Sequence, residues 1–482
     1  LLLAQTNWSA ALAERSYVSP DALQSLGDPR LGKLLARFDS YAPMVTLGLA
    51  TLSAGVDWSP AALGLIAPFN ILLFNMDTDE LRPTGGFLGN YAQLTLSQGL
   101  LISGLHLHDI YTLDCPNNFC HSRAIPAEYA WFPLSKGAFG LRDSNLNPDF
   151  PTFAGLASTL YQRISGAQAN MVVAITPAII EDVLSVTGPI TVPQYNVKIT
   201  AANLTATIHY YHQNAAVTAR LGVDYKALGT SIFKAFDVLL SRALLARLTS
   251  LTGAEQGRMA ALLLKAFMTK DIQIFVNNAR LQALLQQLGV AGQVFTPSYD
   301  NLMVVDTNDG GSYSNSDMQE TINDHIALDA SGAATHTLTI SYYYRDTNHI
   351  YSQTDQYADF ARVIVGSSVT HVAVSGPCTP KKTIQSNHYS FGCQLSVARG
   401  KRVTITFTWR TPHALTSSGK QTLYRLLIQR QAGAHVSFSV SIAPPAGASL
   451  APQGAALRTE QGEAVWSADP LLMNTTLSAV VR

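Results

Sequence analysis

Charge is scarce in this chain. Only 13% of its 482 residues are Asp, Glu, Lys or Arg, and 32 basic residues balance 32 acidic ones. A formal net charge of +0 and a pI of about 7.3 exclude a general electrostatic nucleic-acid binder, because that function needs a basic face. No unbroken apolar run reaches the ~20 residues of a membrane span. The closest stretch, residues 41–74, is interrupted by Asp57, Pro60 and Pro68. The Gly-Lys-Ser/Thr of a P-loop and the Gly-x-Ser-x-Gly elbow of serine hydrolases are both absent. Internal repeats and low-complexity tracts are absent too.

Cysteine is rare, with four residues. Cys115 and Cys120 flank Pro-Asn-Asn-Phe, and Cys378 and Cys393 flank a polar, turn-rich stretch. Two local disulfide loops are the simplest of three pairings and imply an oxidising compartment outside the cytoplasm. Zinc is the competing reading, with His106, His108, Cys115, Cys120 and His121 as donors. Their spacing matches no common zinc module. The chain starts at Leu1, and Leu1–Ala4 reads as the tail of a signal or anchor. The expectation is a membrane-proximal protein whose anchor lies outside this chain.

What is present is a long globular chain, 47% hydrophobic with 33 glycines, which calls for two or three domains. Residues 1–65 read as a helical segment, with helix starts at Ser19-Pro20-Asp21 and Ser59-Pro60. From Phe69 the pattern turns to strands: Phe69–Met76, then Tyr91–Ser97, a Gln98-Gly99 turn and Leu100–His108. Residues 109–150 carry four prolines and little periodicity, which suits a functional loop. Pro151-Thr152 opens a helix with Phe153, Leu156, Leu160 and Ile164 on one face. Met171–Ile175 is a strand, Thr176-Pro177 starts another helix, and Ile190–Val192 is a short strand. That alternation is α/β in character. Residues 200–290 read as a helical insertion, and Gly292–Asp306 returns to strand. Beyond 320, short β-rich runs between Gly, Pro and Ser turns indicate an all-β sandwich. The resulting division is 1–65, 66–320 and 321–482, with the last boundary in Asn308–Asp324.

Two knots of charge stand out on this apolar background. The first is Asp77, Asp79, Glu80 and Arg82, at the end of the Ile71–Phe74 run and followed by Pro83-Thr84-Gly85-Gly86. The second is Arg142, Asp143, Asn145, Asn147, Pro148 and Asp149. Open α/β sheets bind ligands at the carboxyl ends of strands. Guanidinium forks suit phosphate oxygens, so Arg82 and Arg142 are candidate pyrophosphate clamps. Asp143 and Asp149 join them as candidate catalytic groups. Asp79, Glu80, Gly85, Gly86 and Asn145 are candidate ligand-binding residues, with Gly85 and Gly86 offering backbone N–H groups. Mg²⁺ is the candidate cofactor, held by Asp77 and Asp143. The competing reading is an arginine–carboxylate tie between two loops. His209 and His212, three apart on a helix, are spaced for one metal to bridge them, but with no carboxylate at i+4 a solvated or packed aromatic face is the stronger reading.

The quoted motifs resemble the DUF4012 family of large bacterial cell-envelope proteins of uncharacterised function. The matching stretches are Leu72-Leu73-Phe74, Glu80 to Phe87, Leu141 to Asn145, Pro148 to Pro151, Thr187-Gly188-Pro189 and Val304 to Asn308. The lysine usual in the family's following Gly/Asn turn is missing from Gly310 to Ser314. At greater distance, the order of elements looks like that of the LytR-CpsA-Psr phosphotransferases, which move lipid-linked glycopolymers onto the cell wall. The resemblance implies a mixed sheet with flanking helices and a location at the cell surface or envelope. The implied partner is a polyprenyl-linked glycan or cell-wall polymer, which the α/β part would bind or transfer. The alternative function is a non-catalytic surface protein that uses its sandwich for protein contacts or self-assembly.

Overall fold

The computed structural model describes residues 2–16, 38, 59–103, 106–116, 120, 123–133, 139–346, 354–385, 388–418, 421–453 and 457–482. Leu2–Ser16 is a helix, and 59–62 form a helical turn. The expected start at Ser19-Pro20-Asp21 lies outside the described residues.

The apolar run forms β1 (Phe69–Asp77), with Leu72, Phe74 and Met76 buried on alternate positions. β2 (Phe87–Ser97) returns antiparallel to it. Gln98 and Gly99, at φ 50° and 77°, turn the chain into β3 (Leu100–Leu101), a left-handed pair typical of tight hairpins. β4 (His108–Asp109) pairs back onto Asn90 and Tyr91 of β2. β5 (Met171–Ile175) lies parallel to β1, reached by a crossover that contains the long loop and the helix Phe150–Ser165. β6 (Ile190–Val192) and β7 (Val197–Ile199) make a separate hairpin. β8 (Ile272–Val276) closes the sheet antiparallel to β5, giving the order β3-β2-β1-β5-β8.

Helices cover both faces of this mixed sheet. Phe150, Phe153, Ala157 and Leu160 pack at helical spacing against Leu72, Phe74 and Val172. On another face, Ile179 and Val183 of Pro177–Thr187 meet Met259, Leu262 and Ala266 of Gly253–Met268, above Ile272. Within residues 200–290, read from the sequence as a helical insertion, most of the chain is helical, but β8 belongs to the sheet. Leu204–Gln213 and Ala235–Leu248 enclose a core of Leu204, Tyr211, Phe236 and Leu239.

The C-terminal part consists of an eight-stranded and a seven-stranded sheet that share one apolar core. Leu302, Val363 and Leu426 enter it from one sheet, and Ile340, Phe407 and Phe438 from the other. β9 (Asp300–Val305) differs from the sequence-based division. It sits inside the eight-stranded sheet, antiparallel to Gln356–Val365 and parallel to Gln421–Gln429. All six of its residues are buried, so its apolar run carries no sign of which sheet it joins.

The α/β and β-rich parts meet around the turn between β1 and β2. Gln431 Nε2 donates to the carbonyls of Arg82 (3.1 Å) and Asp306 (2.8 Å), and its Oε1 accepts from Asp306 N–H at 2.8 Å. Asn308 N–H donates to Leu81 O at 2.9 Å. Lys270 Nζ donates to Arg430 O at 2.8 Å. Gly433 lies close against the turn: it holds φ +73°, and a Cβ there would lie 2.2 Å from Gly85 O.

Cys115 is bonded to Cys120 and Cys378 to Cys393. This removes the thiolates required by the zinc reading. Among the described residues, no helix is long and apolar enough to cross a membrane.

Candidate functional site

The first charged turn is organised by Asp77, whose Oδ1 accepts Asp79 N–H at 3.1 Å. Glu80 O then accepts Phe87 N–H at 2.9 Å, which closes the turn into β2. Gly86 must be glycine, because a Cβ would stand 2.3 Å from Asp77 O. The second turn hangs on a residue without any motif. Asp114 ends the helix Ile110–Asp114 and accepts from Leu141 N–H (3.0 Å), Arg142 N–H (3.4 Å) and Arg142 Nη1 (2.6 Å).

These two turns converge. Asn145 Nδ2 donates to Thr84 Oγ1 at 3.1 Å and to Gly86 O at 2.8 Å. Asp143 feels both Arg142 and Arg82, and Glu80 feels Arg82 and Asp143. Residues about sixty positions apart in sequence therefore form one buried centre.

The two arginines differ inside it. Arg142 is fully buried and engaged, with Nη1 on Asp114 and 3.3 Å from Cys115 Sγ, and Nη2 3.3 Å from Asp143 Oδ2. It works as a tie rather than an open fork. Arg82 Nη2 holds Glu80 Oε1 at 2.5 Å, and its guanidinium lies over the rings of Phe132 (4.9 Å) and Phe87 (5.8 Å). Its Nε and Nη1 are buried and have no hydrogen-bond partner among the described residues. Such orphaned donors are costly and mark a place for an acceptor.

The acids around Arg82 are tuned towards neutrality. Burial pushes Glu80 up to about 7, against the pull of Arg82. Burial likewise pushes Asp143 up to about 6, against Arg142 and Arg82. These carboxyls can exchange a proton near neutral pH, the property of a general acid–base pair.

Other expected residues are placed elsewhere. Asp149 caps the helix Phe150–Ser165: Oδ2 accepts from Thr152 N–H (3.1 Å) and Oγ1 (2.6 Å), and Oδ1 from Val294 N–H (2.9 Å). Both of its oxygens are committed to structure. Gly85 N–H is used inside the turn, on Arg82 O at 2.9 Å, so it offers no donor to an anion. Asp143 is not in the one group of three or more metal-ligating side chains found among the described residues, to which Asp77 belongs. Asp77 groups there with Asp79 and His209, whose ligand atoms all lie within 4.8 Å of one another. Burial works to raise Asp77, but the hydrogen bond and charge of His209 outweigh it and hold the carboxyl well below its usual range. Asp79 is pushed up to about 6 by burial, with Asp77 adding to it and His209 opposing.

An open groove of about 560 Å³ runs along the other flank of the same turn, lined by Thr78, Asp79, Leu81, Glu320, Arg345 and His435. Sequence reasoning missed Asp114, Asp237 and Gln431, which carry no local pattern. His209 and His212 did carry one, but their acids lie on strands and helices remote in sequence.

The class defined here is a mixed α/β body with a buried arginine–carboxylate centre, joined to two β-sheets. Residues 67–211, which include both charged turns and His209, match the profile of a family described as "Protein of unknown function (DUF4012)". No curated protein matches the chain. A solved protein from Streptococcus agalactiae is 12% identical, covering 48% of this chain and 76% of its own, with a TM-score of 0.28. One from Listeria innocua is 10% identical over 50% and 84% of the respective chains, TM-score 0.24. A transcriptional regulator from Enterococcus faecalis is 12% identical over 48% and 74%, TM-score 0.22. Overlaps of this depth carry no argument about the chain's fold or activity.

Proposed function

We propose that this is an extracytoplasmic envelope protein whose α/β part binds and transfers a phosphate-bearing, polyprenyl-linked glycopolymer. The carrying observation is the buried, unpartnered Nε and Nη1 of Arg82 beside acids that titrate near neutrality. Phosphoryl transfer depends mainly on positioning and charge neutralisation. In this reading Arg82 takes a pyrophosphate oxygen through its free donors. Glu80 accepts the proton as an acceptor hydroxyl attacks phosphorus. The bond from that phosphorus to the bridging oxygen breaks, and polyprenyl phosphate leaves. Arg142 positions Asp143 and is itself fixed by Asp114. The open groove at Asp79 gives the glycan a polar bed. Mg²⁺ beside the phosphates would add charge neutralisation through carboxylates. The two disulfides support a place at the cell surface or in the envelope. The order of elements is similar to that of LytR-CpsA-Psr phosphotransferases, an analogy about function.

The test is incubation with a polyprenyl-pyrophosphate glycan and an acceptor polysaccharide, reading the polyprenyl phosphate released. Release that is lost in Glu80→Gln supports the reading. No release together with no retention of the lipid rejects it.

A second reading is favoured by the fully buried Arg142–Asp114 pair, which fastens loops without needing a substrate. Here the protein is a non-catalytic surface component, and the two β-sheets act as a sandwich that joins neighbours. Self-association burying well over ~1,000 Å² through the sandwich would favour it.

A further inference from the structure

We infer that Asp77, Asp79 and His209, with the side-chain oxygen of Asn90, form a site for a first-row transition-metal dication. Strand geometry assembles half of it. Asn75 and Asp77 alternate on one face of β1, and the β1–β2 register sets Asn90 opposite Asn75, on that same face. The helix Leu204–Gln213 supplies the rest, presenting His209 and His212 one turn apart, both buried. His209 Nε2 lies 3.0 Å from Asp79 Oδ2 and 3.9 Å from Asp77 Oδ1. Its ring stacks on Tyr313 at 5.1 Å, which fixes its plane.

An independent observation points to a ligand. Asn90 is 2% exposed, and its Oδ1 has no hydrogen-bond partner among the described residues. Its Nδ2 is held by Asp237 Oδ2 at 2.8 Å, leaving the oxygen to the cavity that it lines with Asn75, Asp77, Asp79 and His209. Asn75 Oδ1 is also buried without a partner among the described residues. The cavity measures about 30 Å³, on the order of one water or one ion.

Nearby positive charge is already balanced. Lys234 Nζ lies 3.9 Å from Asp237 Oδ2 and 3.3 Å from His212 Nδ1, and His212 Nε2 lies 2.8 Å from Asp237 Oδ1. One imidazole with two carboxylates and an amide oxygen suits Mn²⁺, Fe²⁺ or Zn²⁺ better than Mg²⁺, which prefers oxygen alone. The site shares Asp79 with the open groove, but its test needs no lipid.

The test uses the full chain stripped with EDTA and then titrated with MnCl₂ or ZnCl₂. One equivalent should bind, with affinity falling at least about tenfold in His209→Gln and in Asp79→Asn. Should those variants fail to fold, pulsed EPR of the Mn²⁺-loaded native chain reads the ligand directly, and coupling to an imidazole nitrogen is expected. No stoichiometric binding, binding unchanged in His209→Gln, or a Mn²⁺ spectrum without nitrogen coupling would overturn the assignment. The last would leave His209 as the ion-pair partner of two acids.

Discussion

Arg82 and Arg142 sit in one charged centre yet carry different duties, because duty follows from the partners each guanidinium has already found. Arg142 is closed on Asp114 and Asp143. Its removal would leave Asp114 wholly buried without its cationic partner, a loss of about 3–5 kcal/mol. Urea unfolding of Arg142→Ala should show that drop. Glu80 makes the opposite case. Its pKa in the folded chain is about 7 against an ordinary 4.5, so the native state holds this proton more tightly than the unfolded one. Stability therefore falls as pH rises from about 4.5 to about 7 and stays lower above. Glu80→Gln should remove that fall and stabilise the protein by about 3–3.5 kcal/mol at pH 8, at ~1.4 kcal/mol per pKa unit. Melting temperatures across pH 4 to 9 would show it as a flattened profile. An acid that costs stability where it sits is a mark of function rather than fastening.

At the scale of elements, Asp149 shows how one residue type serves two readings. The motif Pro148-Asp149-Phe150-Pro151 was legible as both a helix start and a catalytic acid. In the fold both oxygens are taken by Thr152 and Val294. Asp149→Ala should cost about 1–2 kcal/mol as a lost cap and leave lipid affinity unchanged, measured by chemical denaturation alongside lipid titration. The strand–hairpin–crossover order was legible because each part has its own period or turn chemistry. The helix after Asp149 was legible in extent and in its main face: Phe153 and Leu160 are buried in the core, and Leu156 and Ile164 pack against it. Leu156 and Ile164 are only half-buried, while Ala154, Ala157 and Tyr161 are buried. β9 was found as a strand but placed on the α/β side of the 320 boundary, since its apolar run Leu302–Val305 carries no sign of which sheet it joins. The meeting of His209 with Asp77 and Asp79 was not legible, because its partners are supplied by tertiary folding rather than by the helix's own spacing.

For the whole molecule, the decisive feature is where the first charged turn sits. It is wedged between the α/β sheet and the β-rich part, held by Gln431 and Asn308 from one side and by Asn145 from the other. The C-terminal sheets thereby help to set the position of Arg82. Gly433→Ala tests this coupling from outside the centre. Its new Cβ meets Gly85 O at 2.2 Å in a left-handed conformation, so the turn must shift. The variant should be less stable by about 1–3 kcal/mol and bind pyrophosphate lipid more weakly, read by thermal melting and titration. A tie between loops would show the first effect alone.

The most direct measurement is on Arg82→Ala, with polyprenyl-pyrophosphate affinity and unfolding free energy determined on the same preparation. The account expects affinity to fall at least about tenfold, a loss of ~1.4 kcal/mol or more in binding, while stability stays within about 1 kcal/mol of the native chain. Unchanged affinity together with a stability loss of about 3–5 kcal/mol would contradict it and make Arg82, like Arg142, a fastening for two loops.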